Sequence, residues 1–315
     1  MGPQLAEALG TLRDRLPPFP AEKAKAEIEA AFEKPWSAVY TGFGPPVAAA
    51  SIAQVHKAGV PSGGQARAVA VKILRPGIER RFERDLESFY FAARMAERLS
   101  PRARRLRPVA AVDTMAQSVL LEMDLRLEAA AISEMAENIA KAGDRDFRVP
   151  KVDWERTARR VLTLDWVDAI PLTDPAAIEA AGLDRKALGL NVIRSFLKHA
   201  IRDGFFHADM HQGNLFADPR DGALVAVDFG IMGRIGPNER RFLAEILYGF
   251  ITRNYRRIAE VHFEAGYVPP NQDISAFAQA LRAVGEPIMG RSAAEISMAR
   301  LLTQLFEVTD LFQMR

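Results

Sequence analysis

The sequence predicts an α+β fold in two lobes, a β-containing N-terminal lobe and a mainly helical C-terminal lobe. Three observations carry that expectation. Val69, Val71 and Ile73 alternate with Ala70, Lys72 and Leu74, the two-residue period of a strand that holds a lysine on one face. Short apolar pieces around Phe205-Phe206 and Val225-Ala226-Val227 each lead into an acidic loop, His207 to Asn214 and Asp228-Phe229-Gly230. From Glu239 onward the apolar residues recur at helical spacing.

A chain of 315 residues can bury a large core, enough for one two-lobed domain or two small ones. The expected division is a helical extension over 1–40, a small lobe with inserted helices over 41–167, and a helical large lobe over 168–315. Charged residues make up 26%, the net charge is +2 and the pI is near 8.9. That mild basicity does not mark a nucleic-acid binder, which needs Lys and Arg gathered on one face. There is no cysteine, so disulfides and thiolate metal sites are excluded. Met1-Gly2-Pro3-Gln4-Leu5 leads into a charged helix, not an apolar leader, and no apolar run has transmembrane length. The chain therefore reads as soluble. Both ends fall at or inside helix patterns, so truncation at both is expected.

Leu5, Leu9, Leu12 and Leu16 share a helical face, and Pro17-Pro18-Phe19-Pro20 ends that helix. A second amphipathic helix covers 21–32, its charges serving solubility. Then comes an alanine-rich run, Ala48-Ala49-Ala50-Ser51-Ile52-Ala53-Gln54-Val55, between a Gly-Pro turn and the lysine strand. A loop in that place covers nucleotide phosphates when it is glycine-rich, because glycine lets backbone amides approach closely. Alanines give a stiffer cover. A lysine on an apolar strand is costly unless paired, which favours a functional Lys72.

Residues 78–99 read as a long charged helix in which Phe82, Leu86, Phe89 and Met95 can pack. Arg102, Arg104, Arg105 and Arg107 follow, either a solvated linker or a contact for anionic lipid headgroups. Residues 112–139 read as one helix carrying Glu122, Asp124, Glu128 and Glu134. Six residues turn such a helix by about 600°, so Glu122 and Glu128 fall on different faces. Strands follow over 147–152 and 161–167. By geometric analogy, backbone groups from Asp165 to Val167 are placed to meet an adenine. Residues 188–202 form a helix, with His199 a packing or surface residue and not a ligand, that delivers the first acidic loop.

His207, Asp209 and Asn214 keep the spacing of H-R-D-L-x-x-x-N, with Ala208 in the arginine position, and Asp228-Phe229-Gly230 supplies D-F-G. The hairpin-like Asp218-Pro219-Arg220-Asp221-Gly222 separates them. The chemistry requires these types. A phosphoryl donor needs divalent cations, and the cations need hard oxygen ligands, which Asn214 and Asp228 offer. Asp209 can orient or deprotonate an acceptor. His207 orders the loop, and His211 with Gln212 stands beside it. After Gly230 there is no long activation segment and no Ala-Pro-Glu, which argues against efficient phosphorylation of protein in trans. Helices then cover 239–252, 254–265, 274–283 and 291 to the end, with Phe242, Leu243, Ile246, Phe250, Ile258 and Phe263 as core.

These motifs together closely resemble the UbiB family, also called ADCK, of atypical protein-kinase-like proteins. The resemblance rests on Ala48 to His56, Val69-Ala70-Val71-Lys72, Glu122-Met123-Asp124, His207 to Asn214 and Asp228-Phe229-Gly230, and it runs over nearly the whole chain. It implies that Glu128 positions Lys72, and that Glu122 and Asp124 form the signature Glu-x-Asp motif near the nucleotide. It implies ATP and Mg2+ as cofactors and slow ATP hydrolysis in support of ubiquinone (isoprenoid quinone) biosynthesis. Phosphorylation of a small molecule or protein, and a non-catalytic nucleotide-gated scaffold, are the alternatives. Implied partners are quinone precursors, anionic lipid and ubiquinone-biosynthesis proteins, with the full-length protein on the cytoplasmic face of the inner membrane. The family's Lys-x-Gly-Gln motif is missing from this sequence.

Overall fold

A computed structural model describes residues 17–63, 65–100, 104, 106–290, 295 and 297–314. The helix expected over 5–16, and Arg102 and Arg105 of the basic stretch, lie outside the described residues. The two-lobed α+β expectation holds, with sheets in the N-terminal part and a mostly helical C-terminal part. The chain groups into two compact units. Among the described residues, one holds those from Pro17 to Ser195 with His207–Met232, and the other holds Phe196–Phe206 with those from Gly233 onward.

The first unit opens with the helix Ala21–Phe32, which matches the expected span. Strands β1 (Gly42–Ala49), β2 (Ala53–Ser62) and β3 (Gln65–Leu74) follow. With β5 (Val161–Asp165) they form an antiparallel sheet in the order β1-β2-β3-β5. The register sets Val55 opposite Lys72, and His56 opposite Val71. Partners in register share a face, so Val55 and Lys72 look one way while Gln54, His56, Val69, Val71 and Ile73 look the other. On that second face Val69, Val71 and Ile73 are fully buried with Ala24, Ile28 and Tyr40.

The helix Ile78–Leu99 has the expected span, but Phe89 is 49% exposed and so only half covered. The single helix expected over 112–139 is two, Pro108–Glu122 and Leu125–Ala142. Asp124 breaks it: its backbone is extended and its side chain accepts from the N–H of Arg126, an N-cap that competes with helix continuation. Met123 and Leu125 on either side are buried and hold the break in place.

The strand expected over 147–152 is shorter, β4 (Phe147–Arg148), because Pro150 cannot donate to a ladder; Val152 makes an isolated bridge to Leu164. A second sheet joins β4, β6 (Ile170–Pro171), β8 (Leu215–Ala217) and β9 (Leu224–Ala226) in the order β4-β9-β8-β6. The helix expected over 188–202 runs from Arg185 to Leu197, continues as a π-helical turn Lys198–Asp203, and ends at Gly204 with φ 68°. β7 (Phe205–His207) follows it directly. His199 is buried, in keeping with a packing role.

In the second unit the helices Pro237–Ile251, Tyr255–Glu264, Ile274–Gly285 and Met298–Leu311 surround one core. Asn254, Asp273 and Ser297 cap the last three through side-chain oxygens. Ile258 is buried there, and Ile246, Phe250 and Phe263 pack against it partly buried. Phe277 sits at its centre, fully buried against Phe312 and His262.

Candidate active site

Lys72 leaves β3 on the cleft face, and its ammonium is held by carboxylates from two other elements. Nζ donates to Glu128 Oε1 at 2.8 Å and Oε2 at 2.9 Å, and to Asp228 Oδ2 at 3.2 Å. Burial alone would push the lysine down, but the two negative charges outweigh it and hold Lys72 above the ordinary range. The Asp228 side chain is 42% exposed to the cleft. Desolvation would raise its carboxyl, but the Lys72 charge and the Gly230 N–H outweigh that effect and hold it below the ordinary range. Glu128 additionally accepts from the N–H of Phe229, so one carboxylate fixes both the lysine and the start of the second acidic loop.

The hairpin β8–β9 sets the other oxygens. Asn214 immediately precedes β8, and Asp228 stands two residues beyond β9. The N–H of Val227 donates to the Asn214 carbonyl at 3.1 Å, which ties the two ends together. The Asn214 amide nitrogen donates to the Asp209 backbone at 3.2 Å and side chain at 3.4 Å, and its Oδ1 accepts no hydrogen bond among the described residues. Among the described residues no group of three or more His, Cys, Asp or Glu forms a closed metal cage. Two hard oxygen ligands suit a cation such as Mg2+, which keeps other positions for water and phosphate oxygens.

His207 is buried. Its Nδ1 accepts from the Asp209 N–H at 3.1 Å, and burial holds the imidazole below its ordinary value. The loop is therefore ordered by a neutral ring. His207 also packs on Phe229, with ring centroids 5.1 Å apart.

A cleft of about 480 Å³ is lined by Ala48, Ala49, Ala50, Ala53, Val55, Ala70 and Lys72, by Leu164 to Val167, and by Asn214, Phe216 and Asp228. A wider cavity of about 880 Å³ shares Lys72, Asn214 and Asp228 with it and adds Ser51, Ile52, Glu122, Glu128, His207, Asp209 and His211. The expected site residues thus converge, with three qualifications. Gln54 borders the cleft, but its carboxamide is committed to the Phe19 backbone and to His56 on the other sheet face. Asp165 turns its carboxylate to Arg67. Asp124 lines neither cavity and serves as the helix cap. Glu122 and Glu128 do meet at one cavity, because the break at Asp124 removes the helical arithmetic that separated them. Burial, and then the negative charge of Asp228, push Glu122 above the ordinary carboxylate value.

At the end of β5 the N–H of Trp166 donates to Ala68 and that of Asp165 to Lys151, while the N–H of Val167 makes no hydrogen bond among the described residues. A free backbone donor on the rim of an apolar cleft suits a planar ring with an acceptor nitrogen. Sequence reasoning missed Arg75, whose Nε donates to Ala50 O at 3.0 Å and whose Nη1 donates to Pro17 O at 3.1 Å. It fastens the alanine loop to the segment before the first helix. Its place just after the lysine strand was the available signal.

The family model for the ABC1 atypical kinase-like domain matches residues 11–262, and that for the UbiB helical domain matches 281–315. A Marinobacter nauticus protein named probable protein kinase UbiB is 38% identical over 314 residues, covering 98% of this chain and 56% of that protein. A Xanthomonas campestris protein of the same name is 40% identical over 323 residues, covering 99% and 57%. The chain thus spans just over half the length of these relatives. A Mycobacterium tuberculosis protein solved in complex with erythromycin superposes with a TM-score of 0.67 at 26% identity, over 98% of this chain and 82% of that one.

Proposed function

The chain belongs to the ABC1 atypical kinase-like (UbiB) family, and from that membership we propose that it binds ATP with Mg2+ and hydrolyses it slowly, in support of isoprenoid-quinone biosynthesis. The observation that carries the reading is the Lys72 ammonium held between Glu128 and Asp228 on the wall of an apolar cleft. Lys72 takes the phosphates, and Glu128 keeps it aimed. Asp228 and Asn214 hold the cation, which when bound offsets the charge of the phosphate oxygens. The Val167 N–H and the apolar walls receive the base. Asp209 orients the attacking water. The water oxygen bonds to the terminal phosphorus, the bond to the bridging oxygen breaks with its electron pair leaving on ADP, and the proton passes to Asp209.

A second reading, transfer to a small-molecule or protein acceptor hydroxyl, is favoured by the name its relatives carry. The short segment from Gly230 to Pro237 offers little peptide-docking surface and favours water or a small acceptor.

The test is thermal shift with ATP and ADP, with and without Mg2+, on the wild type, Lys72→Ala and Asp228→Asn. A Mg-dependent upshift lost in either variant supports the site. Phosphate release that Asp228→Asn nearly abolishes supports hydrolysis, and unchanged release in that variant refutes it. Labelled ATP with quinone precursors separates transfer from hydrolysis.

A further inference from the structure

The two histidines of the catalytic loop repeat one hydrogen-bond device. Nδ1 of His207 accepts from the N–H of Asp209, two residues on, at 3.1 Å. Nδ1 of His211 accepts from the N–H of Gly213, again two residues on, at 3.0 Å. A backbone N–H only donates, so each Nδ1 is an acceptor and the proton of the neutral ring sits on Nε2. For His211 that Nε2–H stands 3.5 Å from Oδ2 of Asp209. Contacts of this kind are often long without substrate and tighten when it binds. The Asn214 amide approaches the same Oδ2 at 3.4 Å, and Oδ1 of Asp209 has no hydrogen-bond partner among the described residues. Gly213 supplies a separate observation. It does not take a positive φ, yet a Cβ there would come within 2.8 Å of His211 Cε1 and 3.0 Å of Nδ1. The glycine is required by the ring lying over it, not by the backbone.

We propose that His211 is a positioning residue for Asp209. Its Nε2–H holds Oδ2, so that Oδ1 is presented to the water or acceptor hydroxyl. The proposal rests on the phosphoryl-transfer reading above and adds that His211 acts through Asp209 and not on the nucleotide.

Two substitutions separate this from a structural role. Asn places an acceptor where Nδ1 was, so His211→Asn keeps the turn onto Gly213 but has no donor reaching Asp209. Gln places its amide donor where Nε2 was. In His211→Asn the melting temperature and Mg-nucleotide affinity are expected to hold while kcat falls about 10- to 100-fold, and His211→Gln recovers most of that loss. Gly213→Ala should lower kcat in the wild type and add little in the His211→Asn background. Wild-type kcat in His211→Asn, or equal losses in Asn and Gln, would overturn the proposal. If the wild type hydrolyses no ATP, the function reading fails, and nitrogen NMR of His211 still decides the pairing. An Nε2–H tautomer whose resonance moves in Asp209→Asn is expected; an Nδ1–H tautomer, or no response, refutes it.

Discussion

Lys72 donates to both oxygens of Glu128, at 2.8 and 2.9 Å, across 56 positions of sequence. Both side chains are largely withdrawn from water, 15% and 5% exposed, so removing one leaves the other poorly compensated. Glu128→Ala leaves a buried ammonium with Asp228 as partial compensation and should cost about 3 kcal/mol. The double substitution Lys72→Met with Glu128→Leu, which fills the space with apolar groups, should cost less than Glu128→Ala alone. Urea unfolding of the three proteins checks this, and a double variant less stable than the single would refute it.

Asp124 predicts a loss of stability without a loss of site. Removing the cap in Asp124→Ala should cost about 1 kcal/mol, and Asp124→Ser should restore most of it. Nucleotide affinity should hold in both, since Asp124 lines neither cavity. An affinity loss in Asp124→Ser, with stability restored, would show that the carboxylate serves the ligand.

The hairpin turn should impose a pH dependence. Hydrogen bonds from the Arg220 guanidinium, with Arg148 nearby, hold the Asp218 carboxyl far below its ordinary 3.8. A depressed carboxylate stabilises the fold fully above its unfolded value and loses that contribution as pH falls through the folded one. Wild type should therefore melt above Asp218→Asn by a constant margin from about pH 7 to about pH 5, and the margin should narrow below 3.8. A margin that widens in acid would reverse the assignment.

The helical unit should fail at Phe277. Phe277→Ala leaves a cavity beneath Phe312 and should cost about 3–5 kcal/mol. Overpacking is costly too: a Cβ at Gly285 would lie 2.8 Å from the Tyr255 ring, so Gly285→Ala should cost about 1–3 kcal/mol. Calorimetry on both variants tests whether this core tolerates a gap better than an added methyl.

What the sequence made legible was local. The strand of Lys72, the spacing of His207, Asp209 and Asn214, and the hairpin to Asp228 are each written within a few residues. The break at Asp124 was not legible, because no glycine or proline marks it and aspartate is tolerated inside a helix. Two-residue alternation does place Gln54 opposite in facing to Val55, yet its partner, the Phe19 backbone, lies 35 positions away. The parallel pairing of Phe147 with Leu224 is likewise non-local. The convergence of Glu122 and Glu128 follows from the break and was hidden with it.

The hairpin β8–β9 measures the gap between Asn214 and Asp228 like a calliper. Leu215 pairs with Ala226, and Val227 bonds back to Asn214, so register and not contour length fixes where the two side chains proposed as ligands stand. The turn beyond Ala217 can therefore be lengthened without moving either one. A reporter peptide spliced between Arg220 and Asp221 would disturb the Arg148 clamp and leave the spacing of the oxygens intact. The chain thus carries, a few residues from its chemistry, a place where foreign sequence can be inserted.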